Sequence, residues 1–132
     1  MSADFLDTNV LVYFAEQHER KYPRSLELLQ AGGVASVQVL NEFTSVARRK
    51  LSLDWPIVEE SLLLLRSLLD IRPIDIDTHE MGIELAAHHG LHVYDAMIVA
   101  AALLAGCDVL YTEDMQHGLL VEGRLRIANP FA

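Results

Sequence analysis

The sequence predicts an α/β domain in which a short, mostly parallel sheet of about five strands is covered by helices on both faces. Brief apolar runs end in polar turns, longer segments with apolar residues at helical spacing lie between them, and the two kinds alternate along the chain. A length of 132 residues, 52% of them hydrophobic, suits a single domain over residues 1–132 with an ample core. Four prolines and seven glycines are scattered as punctuation, without a low-complexity stretch or a repeat.

Taken in order, Ala3 to Leu6 reads as a first strand that ends in the polar turn Asp7-Thr8-Asn9, with Thr8 or Asn9 capping a helix from Val10. A helix over 24–31 is closed by Gly32-Gly33, and Val34-Ala35 makes a second strand. Ser36 caps a helix over 37–50, where Val39, Leu40, Phe43, Val46 and Ala47 form one apolar stripe with Glu42 at its border. Asp54 and Pro56 open a helix over 57–69. Its leucines Leu62, Leu63, Leu64, Leu65, Leu68 and Leu69 extend around more of the cylinder than one core face requires, which fits either a partner surface or burial on two sides.

Ile71 to Ile76 reads as a third strand, and Pro73 within it points to a sheet edge. Asp77 and Glu80 have capping-box spacing for a helix stopped by Gly90, with His88 and His89 complementing the dipole of its last turn. Residues 94–105 form a hydrophobic helix stopped by Gly106, with Asp95 in its first turn. Fourth and fifth strands are expected over 108–112 and 126–128.

The longest apolar stretch, Ala96 to Cys107, falls short of the roughly 18 residues that suggest a membrane span. No membrane association is expected, and nothing in MSADFLDTN indicates export, so the expected location is cytoplasmic. The single cysteine, Cys107, cannot form an internal disulfide and reads as a buried thiol. Ten Lys and Arg against nineteen Asp and Glu give 10 − 19 = −9, unfavourable for a nucleic-acid partner unless charge is arranged locally. Basic residues do cluster, in Arg20-Lys21 with Arg24 and in Arg48-Arg49-Lys50, although solvated helix ends are the plainer reading of both.

Four acids ending short apolar runs carry the functional argument: Asp7 in FLDTNV, Glu42 in VQVLNEF, Asp95 in VYDAMIVAAA and Asp114 in VLYTEDM. Each alone has an ordinary explanation as a cap, a helix N-terminal acid, a loop residue or a solvated helix position. Jointly, their places in the predicted elements allow one shared rim beyond the carboxyl ends of the strands. Gathered there, their mutual repulsion would demand divalent cations, and hard cations with oxygen ligands recruit phosphate. Two Mg²⁺ would offset about four charges where a phosphodiester must approach. Thr and Asn groups beside the acids, Thr8, Asn9 and Thr112, are expected as polar support. Glu113 directly precedes Asp114 and is an alternative or assistant to it.

At these residues the sequence becomes specific. FLDTNVLVY, Glu42 in LNEF, YDAMIVAAALLAGCDVLYTEDM and the terminal NPF resemble the PIN-domain family, most closely the VapC-type toxins of bacterial toxin-antitoxin pairs. The resemblance runs from Asp4 to Phe131 and implies a three-layer α/β/α fold, one or two Mg²⁺ or Mn²⁺ ions, and ribonuclease activity leaving a 5′-phosphate and a 3′-hydroxyl. Carried over by position, Asp7, Glu42, Asp95 and Asp114 form the catalytic and metal-binding set, with Asn9 and Thr112 near them. Asp7 and Asp95 are the first candidates for direct ligands, Asp114 for a second ligand or for orienting water, and Glu42 for a ligand or proton acceptor. The resemblance also implies a homodimer, an RNA substrate and a cognate antitoxin lying over the site. The leucine-rich helix, with Trp55 and Phe14 as anchors, is the candidate partner surface.

Other chemistries fit less well. His18, His79, His88, His89, His92 and His117 are dispersed, and Glu84 with His88 at i,i+4 reads as a plain helix face, while His117 near Asp114 is a candidate substrate contact. Aspartyl-phosphate chemistry wants a cation beside the phosphoryl group, yet Lys21 and Lys50, the two lysines, do not follow predicted strands. A glycine-rich phosphate loop is absent. A catalytically silent scaffold of the same fold is the remaining alternative.

Overall fold

The computed structural model describes residues 3–132. Six strands form one sheet: β1 (Phe5–Leu6), β2 (Val34–Ser36), β3 (Asp70–Arg72), β4 (Val109–Tyr111), β5 (Leu120–Val121) and β6 (Leu125–Ala128). The helices are α1 (Thr8–Ala15), α2 (Tyr22–Gln30), α3 (Val37–Arg49), α4 (Trp55–Leu68), α5 (Ile76–His89) and α6 (Val93–Leu104). None is long and apolar enough to cross a membrane.

The strand order is β3-β2-β1-β4-β6-β5, parallel except for the β5–β6 pair. From β1 the chain steps outward to β2 and β3, then returns past its start to β4. Right-handed crossovers therefore place α1 to α4 on one face and α5 and α6 on the other. The reversal happens between β2 and β4, at the carboxyl end of β1, where open α/β sheets form their ligand crevices. Asp7 is the next residue.

The predicted α/β/α architecture is observed, with a sixth strand in addition. β5 was not anticipated because two residues, Leu120 and Val121, are too few to show a period. It exists because Leu120 pairs with Arg126 and Val121 with Leu125 across a tight turn. The third strand stops at Arg72, short of the expected Ile76, because Pro73 has no N–H to extend the ladder. β3 does lie at the sheet edge, as that proline implied.

Several caps follow the expected chemistry. Ser36 Oγ accepts from Val39 N at 3.3 Å at the start of α3, and Asp54 Oδ1 accepts from Ile57 N at 3.2 Å at the start of α4. Two differ. Asp75, not Asp77, caps α5: its carboxylate accepts from Thr78 N at 3.1 Å and Thr78 Oγ1 returns toward Asp75 N, so the box is Asp-x-x-Thr rather than Asp77 with Glu80. Asp7, rather than Thr8 or Asn9, caps α1, because its extended backbone (φ −80°, ψ 168°) is the last of the strand conformation.

In α6, Ala96 to Leu103 are all buried, as a helix pressed between the sheet and α5 must be. On α4 the leucines divide: Leu65 is buried and Leu69 just beyond the helix is too, while Ile57, Leu63, Leu64 and Trp55 are exposed. Burial on two sides therefore does not account for the whole pattern. Trp55 lies under the Arg48 guanidinium at 4.7 Å, and Phe14 stacks on Tyr22 at 5.9 Å, so Phe14 is occupied within the chain. Cys107 is buried, and desolvation pushes its thiol up to about 11.

Candidate active site

Asp7 stands at the strand-to-helix junction and is only 4% exposed. Its backbone N–H donates to Tyr111 O at 3.0 Å, which ties the end of β1 to β4. Its carboxylate accepts from Thr8 N at 2.7 Å and from Thr112 Oγ1 at 2.8 Å. Burial pushes the Asp7 carboxyl up to about 6 against the pull of those two bonds, and the charges of Glu42 and Asp114 push in the same direction as burial.

Thr112, fully buried just past β4, joins the cluster together. Its hydroxyl donates to Asp7 and accepts from Asn9 Nδ2 at 3.2 Å and from Asp114 N at 3.1 Å, which uses its one donor and both acceptor positions. The second hydrogen of the Asn9 amide reaches Asp114 Oδ2 at 3.2 Å. From the other side Thr8 Oγ1 donates to Glu42 Oε2 at 2.8 Å. Gln38, one turn before Glu42 on α3, donates to Glu42 Oε1 at 3.3 Å and to Tyr94 O at 3.0 Å, linking α3 to the start of α6.

Asp95 lies half-buried in the first turn of α6. Desolvation raises its pKa, His92 opposes this, and the charges of Asp114 and Glu42 add to it. The fields of the four acids thus overlap: Glu42 and Asp114 act on both Asp7 and Asp95. The sheet's switch point has brought together residues from α1, α3, α6 and the loop after β4.

The donor set matches the chemistry of a hard divalent cation. It consists of carboxylates and, on Asn9, an amide oxygen that is buried without a hydrogen-bond partner. As the side chains stand, no three acids among the described residues converge to hold one ion. A bound cation would offset the burial and the neighbouring charges that raise Asp7 and Asp95.

Glu113 has a different place from its neighbour. Lys21 Nζ donates to its Oε2 at 2.8 Å, and the Tyr13 hydroxyl donates to Oε1. Burial alone would raise the Glu113 carboxyl, but these bonds and the lysine charge hold it below the usual range. Lys21 also donates to Tyr13 Oη at 3.2 Å and sits over the Tyr13 and Phe131 rings, at 4.5 and 5.5 Å. The NPF end is part of this arrangement: Asn129 Oδ1 accepts from Phe131 N, and Phe131 meets Tyr13 edge to face at 5.2 Å. Sequence reasoning placed Lys21 on a solvated helix end and did not single out Tyr13 or Gln38. For Gln38 the i,i+4 spacing to Glu42 was an available signal; for Tyr13 and Lys21 the contacts with Glu113 span 100 and 92 residues and leave no local trace.

Beside the acids a cleft of about 580 Å³ opens between α1 and α3, with Thr8, Asn9, Glu42 and Asp114 toward one end and Arg49 and Lys50 also in its lining. The histidines do other work: His18 Nδ1 accepts from Lys21 N, His92 caps α6, and His117, expected as a substrate contact, accepts from Asn129 N at 2.8 Å and so anchors the C-terminal segment.

Several solved structures are similar in fold, three of them as follows. One is a toxin-antitoxin complex from Klebsiella pneumoniae, at 21% identity and a TM-score of 0.74, covering 97% of this chain and 98% of that one. Another is VapC20 of Mycobacterium tuberculosis, a sarcin-ricin loop cleaving toxin, at 16% identity and 0.71 over 85% and 90%. The third is VapBC2 of Rickettsia felis bound to a DNA fragment from their promoter, at 23% identity and 0.68 over 96% and 98%. No curated protein sequence matches. The PIN-domain family model matches residues 5–118, which take in all four acids and the β1-to-β4 frame that holds them, and the chain therefore belongs to the PIN-domain family.

Proposed function

We propose that the chain is a divalent-metal-dependent endoribonuclease, the VapC-type toxin of a toxin-antitoxin pair, silenced by a cognate antitoxin and working as a homodimer. The observation that carries this is the gathering of acids at the switch point of the sheet: Thr112 and Asn9 tie Asp7 to Asp114, Thr8 bridges to Glu42, and the charges of Glu42 and Asp114 reach both Asp7 and Asp95. A carboxylate as buried as Asp7, with further acids beside it, has no structural benefit of its own, and a bound cation would give it one. PIN-domain membership and the likeness to toxin-antitoxin structures support the same reading.

In this reading Asp7 and Asp95 are direct ligands, with Asp114 and Glu42 completing the set. Bound Mg²⁺ or Mn²⁺, one ion or two, would supply Lewis-acid activation of the phosphodiester and a more acidic water. Thr112 fixes the Asp7 carboxylate and the Asp114 backbone together, so two ligands from opposite ends of the sequence keep one orientation. Thr8 and Gln38 hold Glu42 the same way, leaving it placed to bind or to accept a proton. Glu113 is assigned to holding Lys21 rather than to ligation. The exposed Ile57, Leu63 and Leu64 of α4 are the surface assigned to the antitoxin or a second copy.

The test is cleavage of a labelled RNA panel, including a sarcin-ricin loop hairpin, by the purified chain with Mn²⁺ or Mg²⁺. Cutting that leaves 5′-phosphates, stops on chelation and falls at least about a hundredfold in Asp7→Asn and Asp95→Asn is expected, since even outer-shell changes at metal sites cost 10- to 100-fold. An absence of cutting with either metal would leave the silent scaffold as the better description.

A further inference from the structure

Resting on the nuclease reading, we infer that the substrate strand is gripped by two sets of cations: Arg49 and Lys50, which line the α1–α3 cleft from α3, and Lys21, held just behind the Tyr13 and Glu113 side of that cleft. A chain of formal charge −9 repels a polyanion at long range, so any nucleic-acid affinity must come from locally placed cations.

The α3 wall is built by the helix itself. Glu42 and Arg49 are seven residues apart, two turns along the same face and roughly 10 Å along the axis. Both line the cleft, as does Lys50. A phosphate held at Arg49 therefore belongs to a nucleotide neighbouring the one at the acids. Arg49 Nε donates to Ser45 Oγ at 2.9 Å, which orients the guanidinium without neutralising it, and among the described residues no carboxylate forms an ion pair with Arg49 or Lys50. Arg48, one residue earlier, points elsewhere: it donates to Leu53 O and covers Trp55.

The opposite wall is formed by Tyr13 and Glu113, which also line the cleft. Behind them Lys21 is fixed by two hydrogen bonds and by the faces of two rings, with about a quarter of its side chain exposed. An ammonium has three N–H donors, and two are committed, so one remains for a phosphate oxygen. Arg20 and Arg24, the latter paired with Glu27, line with Lys21 a separate hollow of about 360 Å³ that Pro130 and Phe131 also line. Glu113 is in this account a positioning residue, and its charge is the reason the lysine stays in one place.

The experiment measures binding of labelled oligouridylate to the Asp7→Asn chain, which keeps the RNA intact, at several salt concentrations. On a single strand, removing one phosphate contact lowers the slope of log affinity against log salt by about 0.7. Lys21→Met, Arg49→Ala and Lys50→Ala are each expected to do so, losing about two- to threefold less affinity than the parent between 50 and 200 mM salt. Glu113→Gln should weaken binding by freeing Lys21 yet leave kcat at saturating RNA unchanged in the otherwise wild-type enzyme. Arg66→Ala, on the exposed side of α4, should change neither. Unaltered slopes in the first three variants, or no binding of the oligonucleotide, would overturn the inference even if the wild-type chain cuts RNA. Loss of kcat in Glu113→Gln would also overturn it, by making Glu113 part of the reacting centre. Absence of metal-dependent cutting by the wild-type chain is a separate result and bears on the nuclease reading alone.

Discussion

Thr112 is the residue on which the geometry of the acids turns. Its hydroxyl bridges groups from α1 and from the loop after β4 and has no bonding capacity left over. Replacement by valine keeps the volume and removes the bridge, leaving a buried Asp7 oxygen, the Asn9 amide and the Asp114 N–H short of a partner. Thr112→Val is expected to lower metal affinity by 10- to 100-fold, an outer-shell effect, while the fold persists. Isothermal titration with Mn²⁺ checks it, and an affinity equal to wild type would show that the bridge has no part in ligation. The four acids were legible in the sequence as residues ending apolar runs, but Thr112's threefold role was not. A threonine next to an acid is common, and only the pairing of β1 with β4 reveals which acid it holds.

At the scale of elements, periodicity and caps located every helix to within a few residues, since helical spacing and Ser36, Asp54 or Gly90 are local signals. What failed was also local: β5 was too short to show a pattern, and Asp75 and Asp77 are rival caps two residues apart. The choice between them rests on Pro73 ending β3 at Arg72, which leaves Asp75 extended and free to turn the chain into α5. Long-range packing left less trace. Gly82 on α5 faces α6 so closely that a Cβ there would meet Met97 Sδ at 2.4 Å and Cε at 2.9 Å. Gly82→Ala gains about 1 kcal/mol of helix propensity and meets overpacking of about 1–3 kcal/mol. A net loss of up to about 2 kcal/mol is expected by urea denaturation. Because the clash is with a flexible side-chain end, the cost should be less than additive with Met97→Ala, and strict additivity would place the strain elsewhere.

For the molecule as a whole, the burial of the Asp7 carboxylate opposes folding at neutral pH. Asp7 has a folded-state pKa of about 6 against 3.8 for a free carboxyl, so its neutral form favours the folded state. That contribution is complete below about pH 3.8 and is lost as pH rises through about 6, a difference of about 3 kcal/mol. The metal-free Asp7→Asn chain should therefore be more stable than wild type at pH 7, with the gap closing toward pH 4; urea midpoints across that range decide, and a gap independent of pH would refute it. Saturating Mn²⁺ should raise the midpoint of wild type and not of the variant. The same strand order that makes the pocket also sets when it can exist. Asp7 emerges from a ribosome early, but its partners on β4 lie more than a hundred residues later, and Thr112 N in turn bonds Ala128 O on β6. With contacts so distant in sequence, no partial product of translation holds the assembled acid cluster, which comes together only once β6 has been released and docked.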